Sequence, residues 1–460
     1  MPDQHQVTTT VEDGLIRVRG DVVAPGDLGY DDARTPHFGY RTGRPIAVIR
    51  PADADDVSTV VRLAARTQTP LHVRGGGHHA AGHATGEGLL LDLRTLTDLR
   101  FGAPTQQGPT VWADAGLTAG AVTAALGQHG LAVGFGDTAG VGIGGITLSG
   151  GIGFLSRRHG MTIDNLLAAE VVTADGRTRL VDANHDAELF WALRGGGGNF
   201  GVATRFHYQA VPVHEIYGGV LFLPATAKTL QRLVAACAAA EDALSVIATV
   251  MAMPPMDHVP AELHGKPVIM TRVCYSGQLD AAEQAVAPLR LAGTPLVDLL
   301  GPMPYRDLFI EPPPSHGAVV AVRNLFVDKV DEAAASTVMG HLGRSDAWMR
   351  MVQFRALGGA IGRVDPSATA FAHRRGAVMV TIACNAQPEL GAARTWVEDI
   401  AGRLPHVTAG AYIGFFGPHD ANRIQEAYPE DTLARLRRIK ARADPDNVFR
   451  HNDNIAPATG

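Results

Sequence analysis

The alternation of apolar and polar positions divides the chain into two regions that meet near Pro212. In the first region, short apolar runs of strand length are separated by glycine-rich turns, and residues 45–49 and 71–73 are predicted to be strands. The helix between these strands follows Pro51, and its apolar face is formed by Val57, Val60, Val61 and Leu63. Because ligands bind at the carboxyl ends of such strands, the turn after residue 73 is a candidate binding site.

Further elements of the first region are indicated by their period and by their turn residues. Strands are predicted at 89–93, 111–113, 168–173, 178–181 and 201–208. A helix begins at Thr118 and ends where Gly130 can adopt a positive φ, and Asp186 caps a second, shorter helix. Asp175 and Gly176 are typical of a two-residue hairpin turn between the third and fourth of these strands.

After Pro212 the glycine density falls and strands alternate with longer helices. Strands are predicted at 220–223, 246–253, 267–274, 351–357 and 378–384. Helices with a 3.6-residue period are predicted at 226–239, 280–292, 390–403 and 431–442. This pattern favours one sheet covered by helices.

Composition narrows the class of protein. A length of 460 residues, with 46% hydrophobic and 19% charged residues, predicts a soluble globular protein of two or three domains. The net charge of -6 and the lack of a basic face argue against nucleic acid as a partner. We expect a cytoplasmic monomer or homodimer that contacts no membrane, because no signal segment or membrane-length apolar run is found. The cysteines have no CxxC spacing and predict neither disulfides nor a zinc site: Cys237, Cys274 and Cys384.

The main chemical signal is the stretch 71–79, an apolar strand followed by Arg74, three glycines and two histidines. Glycine N–H groups can approach a pyrophosphate closely, and Arg74 is available for negative charge. A tight turn without a ligand is the simpler interpretation of three glycines. A second glycine run from 136 to 153 favours the cradle, since it can serve the same ligand from another side. A nicotinamide cofactor is disfavoured, because no GxGxxG follows the first strand and no acidic residue stands at the distance needed to bind a ribose.

These motifs, together with three later ones, resemble the berberine-bridge-enzyme-like branch of the vanillyl-alcohol-oxidase flavoprotein family. The later motifs are Asp164-Asn165, residues 190–201 and the tail 444–450. The resemblance implies FAD, usually covalently attached, and a PCMH-type α+β fold with an FAD domain of two α+β subdomains and a substrate domain with a mainly antiparallel sheet. The implied divisions are an N-terminal segment (1–39), an FAD-binding domain (40–212), a substrate domain (213–415) and a returning tail (416–460).

The resemblance also implies the cofactor site. It places His78 where the family attaches the flavin 8α-methyl group through a histidyl nitrogen, which requires a neutral imidazole. His79 and His83 give only a weak metal signal, because no nearby carboxylate pair completes a site, and no metal is predicted. The other residues implied to bind FAD are Arg74, Gly75, Gly76, Gly77, His79, Gly136, Asp137, Thr138, Val141, Gly142, Gly144, Gly145, Gly150, Gly153, Asn199, Gly201, Val202, Asn452 and Asn454.

Two positions refine the expected chemistry. Thr138 stands where many members have a cysteine that forms a second bond to the flavin, and a threonine hydroxyl cannot supply that thioether. The resemblance therefore implies a single covalent bond. Val141 resembles the form of the family that admits dioxygen to the flavin, whereas isoleucine there resembles the dehydrogenase form. An ordinary packing role is the alternative for Val141.

The substrate side departs from the family pattern. Members that oxidise sugars or alcohols use a tyrosine base where this chain has Phe415, and other members have a glutamate near Gln353 and Arg355. None of these three side chains is a credible base at neutral pH, and Tyr412 is a further candidate for the same site. The expected reaction is hydride transfer from a small organic substrate, an amine or an electron-rich metabolite, to flavin N5, with dioxygen reduced to hydrogen peroxide. The alternatives are a sugar or alcohol oxidase and a flavin-loaded ligand-binding protein without turnover.

Overall fold

The computed structural model describes residues 11, 13–38, 43–256, 259–310, 318–385, 390–417 and 420–458. Three sheets organise these residues, with smaller two-stranded pairings between them. The strands are β1 (Asp21–Val23), β2 (Pro45–Arg50), β3 (Leu71–Arg74), β4 (Gly88–Asp92), β5 (Leu99–Thr105), β6 (Gly108–Asp114), β7 (Leu131–Ala132), β8 (Leu166–Val172), β9 (Thr178–Asp182), β10 (Val202–Gln209), β11 (Val211–Pro212), β12 (Glu215–Pro224), β13 (Leu244–Ala252), β14 (Pro267–Tyr275), β15 (Val297–Asp298), β16 (Gly301–Pro304), β17 (Val320–Val327), β18 (Arg350–Ala356), β19 (Val378–Asn385) and β20 (Val407–Thr408).

Helices lie between and outside the sheets. The α-helices are α1 (Tyr30–Arg34), α2 (Ala54–Thr67), α3 (Ala119–Gly127), α4 (Ile143–Ser149), α5 (Ser156–His159), α6 (Ala187–Leu193), α7 (Ala227–Ala239), α8 (Ala282–Arg290), α9 (Glu332–Leu342), α10 (Ala360–Arg363), α11 (Leu390–Arg403), α12 (Ile424–Ala427) and α13 (Glu430–Ala443). Short 3₁₀ turns occur at Leu93–Thr95, Thr162–Asp164, Gly197–Asn199, Ala261–Leu263, Leu279–Ala281, Tyr305–Leu308, Ile413–Phe415 and Asp420–Arg423.

The first sheet contains the predicted strand-helix-strand unit. Its order is β1-β2-β4-β3, and β4 pairs in parallel with both β2 and β3. Helix α2 begins at Asp53, whose side chain accepts hydrogen bonds from the N–H groups of Asp55 and Asp56, and its predicted apolar face is buried. The turn after β3 therefore leaves the carboxyl end of the parallel strands of this sheet, as predicted.

The second sheet is antiparallel and carries the second glycine run beside it. Its order is β5-β6-β10-β8-β9, and the predicted hairpin between β8 and β9 turns at Gly176, whose φ is +69°. Thr118 caps α3 and Asp186 caps α6, as predicted. Gly130 has a φ of +66°, but α3 already ends at Gly127. The first and second sheets share one hydrophobic core with α2, α6 and α13.

The third sheet is antiparallel throughout, with the order β15-β12-β14-β13-β18-β19-β17-β20 and with β16 beside β12. One face packs against α7, α8, α9 and α11, as the predicted helix-covered sheet requires. Strand β18 alternates strictly: Val352 and Phe354 point into this core, whereas Gln353 and Arg355 line a cavity on the other face. Sequence analysis missed β17 and α9, whose apolar residues complete the same core.

The C-terminal segment packs on the first two sheets rather than on the third. Leu433, Leu436 and Ile439 of α13 lie in the shared core of those sheets. Lys440 is fully buried, and its Nζ donates to the Asp444 carboxylate at 2.6 Å and to the carbonyl of Asn199 at 2.7 Å. This contact fixes the tail beside residues 197–199. None of the helices in the described ranges combines the length and apolar character that a bilayer-spanning helix requires.

Candidate active site

A cavity of about 600 Å³ lies where both glycine runs, the open face of the third sheet and the C-terminal segment meet. The substrate-side candidates Gln353, Arg355, Tyr412 and Phe415 all line it. So do most of the residues implied to bind FAD, namely Arg74, Gly75, Gly76, Gly77, His78, His79, Gly136, Asp137, Thr138, Val141, Gly142, Gly144, Gly145, Asn199, Gly201, Val202 and Asn452.

Gly150, Gly153 and Asn454 differ from the expectation, because they lie outside the cavity lining. The N–H of Gly150 donates to the carbonyls of Ile146 and Thr147, and the N–H of Gly153 donates to Ser156 Oγ. A Cβ at Gly153 would lie 2.3 Å from the carbonyl oxygen of Gly136. Gly150 and Gly153 therefore support the cavity wall and present no N–H group to a ligand.

The two glycine runs touch each other at Gly76 and Gly142. A Cβ built on Gly76 would lie 2.3 Å from the backbone nitrogen of Gly142, and one built on Gly142 would lie 2.2 Å from that of Gly76. By contrast, a Cβ at Gly145 would have no neighbour within 4 Å, because this residue faces the cavity. Close packing of the runs thus requires glycine at two positions and forms a cradle of backbone along one side of the cavity.

His78 is held in a defined orientation at the end of the first glycine run. Its ring stacks on that of His37, with centroids 4.0 Å apart and planes 15° apart, and the Gly140 carbonyl accepts a hydrogen bond from it. Burial, followed by the neighbouring His37, lowers the pKa of His78 to about 4. The ring is therefore neutral at physiological pH, and one ring nitrogen retains its lone pair. Sequence analysis missed His37, because no motif connects it to the glycine run.

Arg74 has a different role from the one predicted. Its side chain is buried and its Nη2 donates to Asp92 Oδ2 at 2.7 Å and to the carbonyl of Ala33. Asp92 also accepts from Arg94 Nη2 at 2.7 Å. Arg74 thus forms a buried ion pair with Asp92 inside the first sheet, a contact that sequence analysis did not predict. The residue anchors the glycine turn that follows it.

A cluster of His79, His83 and Asp453 forms one wall of the cavity. Nε2 of His79 lies 3.2 Å from Asp453 Oδ2, and Nε2 of His83 lies 3.1 Å from Oδ1. The Nδ1 of His79 accepts from the N–H of Ala81, so its Nε2 carries the proton that faces Asp453 and the carbonyl of Ile413. Burial opposes the charged form of His79, but Asp453 outweighs it and raises the pKa.

Sequence analysis found no carboxylate pair near the histidines, and the structure adds the single carboxylate of Asp453. It lies in the C-terminal tail, more than 300 residues from His79, so spacing could not reveal it. A protonated Nε2 donates a hydrogen bond to the carboxylate. The same nitrogen then has no free lone pair with which to bind a metal ion. In this arrangement the cluster ties the first glycine turn to the tail and to the segment that follows Tyr412.

The substrate-side candidates converge as predicted, but they contact residues that sequence analysis assigned to the cofactor or missed. Arg355 Nε donates to Gln353 Oε1 at 3.0 Å, and Arg355 Nη2 donates to Asp137 Oδ2 at 2.6 Å. Burial opposes ionisation of Asp137, but Arg355 and Arg272 outweigh it and lower the pKa of this carboxyl group. Arg272, on β14, was not predicted to belong to the site. Asp137 is therefore an ionised member of a buried ion cluster and is too weak a base to take a proton from carbon or from an alcohol at neutral pH.

Tyr412 also lacks the properties of a base. Its hydroxyl oxygen accepts a hydrogen bond from the N–H of Gly151 at 3.0 Å, and burial raises its pKa to about 12. The Phe415 ring lies edge-on to the Tyr412 ring, with centroids 5.3 Å apart, and the Arg355 guanidinium lies 5.1 Å from the Phe415 centroid. These substrate-side residues can position and polarise a substrate, but Gln353, Arg355 and Phe415 cannot deprotonate one at neutral pH, and the raised pKa of Tyr412 keeps its hydroxyl protonated.

The residues present fit a flavin nucleotide. The cradle leaves room for phosphate beside Gly145, and Asn452, at its edge, has a buried Oδ1 with no hydrogen-bond donor in the described part of the chain. A neutral histidine, a backbone cradle and an unsatisfied amide oxygen in one cavity match the chemistry of a nucleotide with a reactive methyl group. No cysteine lines this cavity: Cys237, Cys274 and Cys384 are buried elsewhere.

Comparison with known proteins agrees with this geometry. Residues 45–182 match the model of an FAD binding domain, and residues 411–456 match the berberine and berberine-like domain. The (R)-6-hydroxynicotine oxidase of Paenarthrobacter nicotinovorans is 28% identical, covering 96% of this chain and 98% of the relative.

Solved structures give the same picture. The 6-hydroxy-D-nicotine oxidase from Arthrobacter nicotinovorans superimposes with a TM-score of 0.84 and 26% identity, covering 96% of this chain and 99% of that one. The glucooligosaccharide oxidase from Acremonium strictum superimposes with a TM-score of 0.83 over 98% of this chain and 100% of that one, and its 20% identity shows the shared fold alone.

The fold and the cavity define a flavoprotein with a PCMH-type FAD-binding domain and a sheet that covers its cofactor site. Such proteins are oxidoreductases, and the homologues are named as such. The chain thus contains an FAD binding domain and a berberine-like domain and is similar to FAD-linked oxidases, which confirms the resemblance predicted from its motifs.

Proposed function

We propose that this oxidase carries FAD through a single covalent bond to His78. The observation that supports the proposal is the His78 ring, which is neutral, oriented by His37 and Gly140, and exposed to the cavity. The glucooligosaccharide oxidase is described with a 6-S-cysteinyl, 8α-N1-histidyl FAD. Here Thr138 occupies the position implied for the cysteine, and its hydroxyl donates to Asp137 Oδ1 at 3.0 Å. The absorption spectrum of purified protein before and after acid precipitation tests cofactor and linkage together.

The substrate is proposed to be a small amine or electron-rich metabolite. When bound, the flavin supplies a hydride acceptor and passes the electrons to dioxygen. The residues Gln353, Arg355, Tyr412 and Phe415 orient the substrate beneath the third sheet, and none is a base at neutral pH. A lone pair on the substrate then has to assist loss of hydride. The relative named for 6-hydroxynicotine, an amine, is consistent with this substrate class.

Oxidation of a sugar or alcohol is the alternative, and it is supported by the names of structural neighbours such as the glucooligosaccharide oxidase. Such a reaction requires a base for the hydroxyl proton, and the substrate-side residues Gln353, Arg355 and Phe415 do not supply one. Anaerobic addition of candidate amines and sugars separates the two classes, since a true substrate bleaches the flavin and air restores the colour. A protein that binds ligand without turnover would not bleach with either class.

We propose that dioxygen reaches the flavin beside Val141, which lines the cavity next to Gly142. Val141→Ile adds one methylene there, so we expect reoxidation by dioxygen to slow by roughly tenfold or more while reduction by substrate changes little. Stopped-flow reoxidation of the reduced enzyme measures the effect, and Val407→Ile, at an exposed position of β20, is the matched control. Equal reoxidation rates in wild type and Val141→Ile would show that oxygen enters by another route.

The missing base predicts a simple pH profile. Because burial raises the pKa of Tyr412 to about 12 and Phe415 cannot ionise, reduction by an amine should follow only the ionisation of the substrate between about pH 6 and 9. Phe415→Tyr should leave the reduction rate within a few-fold. Anaerobic stopped-flow across this pH range makes the measurement. An enzyme-borne pKa near neutrality with a substrate that does not titrate would contradict the proposal.

A further inference from the structure

The charged residues under the third sheet form a cluster with an excess of positive charge. Arg355 Nη2 lies 2.6 Å from Asp137 Oδ2, and Arg272 Nη1 lies 3.9 Å from the same oxygen. All three side chains are nearly buried: Arg355 is 7% exposed, Arg272 is 9% exposed and Asp137 is 14% exposed. The other carboxylate among the described residues of the cavity lining, Asp453, is occupied by His79 and His83. Two buried cations thus share one carboxylate, which leaves a net charge of about +1.

The neighbouring tyrosines do not compensate this charge. Burial raises the pKa of Tyr305, which lies near Arg272, well above its usual value, and burial also raises the pKa of Tyr412. Both are neutral at physiological pH. The positive charge of the described cluster is therefore not cancelled by a phenolate, and it stands in a cavity from which water can be displaced by a ligand.

Arg355 and Arg272 differ in how their hydrogen-bond donors are used. Arg355 donates through Nε and Nη2 to Gln353 and Asp137, and through Nη1 to the carbonyl of Ile152 at 3.3 Å. Arg272 uses only Nη2, which donates to the carbonyls of Asp137 and Leu308 at 2.8 and 2.7 Å. Its Nε is buried without an acceptor in the described part of the chain, and its Nη1 lies 3.9 Å from Asp137 Oδ2, beyond hydrogen-bond distance, which leaves Nη1 as the donor that a ligand can use.

An arginine with unused donors in a low-dielectric cavity is suited to a planar anionic acceptor. Phe154 lies next to this position, since its ring centroid is 4.8 Å from the Arg272 guanidinium carbon. Met349, Met351 and Val322 line other parts of the same cavity. These side chains would pack against a hydrocarbon or aromatic body while the arginine binds its charged end.

We propose that the substrate combines an apolar body with an anionic oxygen group, either a carboxylate or an ionised hydroxyl, that accepts hydrogen bonds from Arg272. The inference rests on the proposed function, since it assigns the substrate of the same flavin cavity. It narrows the amine and electron-rich classes to members that carry a negative charge. A substrate whose sole charge is a protonated amine is disfavoured by repulsion from the two arginines.

Ligand binding to the oxidised holoenzyme tests this inference without turnover. The probes are benzoate, its neutral analogue benzamide and the cation benzylammonium, each followed through the change in flavin absorbance. We expect benzoate to bind at least tenfold more tightly than benzamide, and benzylammonium to bind most weakly. 4-Nitrophenol, titrated below and above its own pKa, shows whether an ionised hydroxyl is accepted as well as a carboxylate. Equal affinity for charged and neutral probes would overturn the inference.

Variants assign the effect to Arg272. In Arg272→Met, benzoate affinity should fall by roughly ten- to a hundredfold while benzamide affinity changes little, and Arg272→Lys should retain part of the preference. Arg100→Met is the control, because Arg100 lies on β5 and its side chain is 72% exposed. An unchanged benzoate affinity in Arg272→Met would exclude this residue as the anion site. If Arg272→Met does not fold, the ratio of benzoate to benzamide affinity is compared between the wild type and Arg272→Lys. An equal ratio in the two proteins would then exclude Arg272 as the anion site.

Failure of the anion-site inference and failure of the proposed function give different results. A wild-type enzyme with covalent flavin and substrate turnover but no preference for anionic probes would contradict this inference alone. A clear preference in a protein whose flavin is released by acid would contradict the single covalent bond and leave the anion site standing.

Discussion

His78→Ala should release all of its flavin on acid precipitation, whereas the wild type should retain all of it in the pellet. The variant removes the ring that stacks on His37 and carries the free nitrogen lone pair, and no other described histidine is both neutral and held at the glycine turn. His79 cannot replace it, because its Nε2 is committed to Asp453. FAD should still bind, since the cradle of Gly76 and Gly142 is unchanged.

The measurement is the flavin absorbance of pellet and supernatant, with a peptide map that locates the added mass. His185→Ala is the matched control, because that histidine is 73% exposed and pairs with Asp182 on the surface. The wild-type map should show one modified peptide, containing His78, and none containing Thr138. A flavin that stays in the His78→Ala pellet would place the bond on another residue.

Gly142→Ala should lose most of its FAD and unfold at a lower temperature. The new Cβ would lie 2.2 Å from the backbone nitrogen of Gly76, and neither partner is a flexible side chain that could move aside. Overpacking of this kind typically costs about 1–3 kcal/mol, and here the two runs that form the cradle must also separate. The ratio of flavin absorbance to protein absorbance reports the cofactor, and a thermal melt reports stability.

Gly127→Ala is the control for this experiment. Gly127 ends α3 away from the cavity, and a Cβ there would have no neighbour within 4 Å. Alanine in a helix is favoured over glycine by up to about 1 kcal/mol, so this variant should keep its flavin and its melting temperature. Full flavin content in Gly142→Ala would show that contact between the two runs is not needed for cofactor binding.

The sequence was most informative where structure depends on neighbours along the chain. The face of α2, the caps at Thr118 and Asp186 and the hairpin at Gly176 were predicted correctly, because periodicity and capping act within one or two turns. The family motifs also indicated the α+β fold and the FAD-linked oxidase class, which the comparisons confirm. Alternation along β18 correctly placed Gln353 and Arg355 on one face.

The sequence could not determine which charged side chains, distant along the chain, form ion pairs with one another. Arg74 was predicted to bind a ligand because it stands beside three glycines. In the structure its side chain forms an ion pair with Asp92 from the neighbouring strand. Asp453 meets His79 only because α13 returns the tail to the first two sheets. Likewise, Arg272 lies on β14 of the third sheet and Asp137 lies in the second glycine run, and the charge of their cluster exists only when β14 covers this run. Local sequence therefore determined most of the helices and strands and the cofactor class. Tertiary packing decided the protonation and the partners of the buried charged groups, because Coulomb and desolvation energies depend on separation in space rather than along the chain.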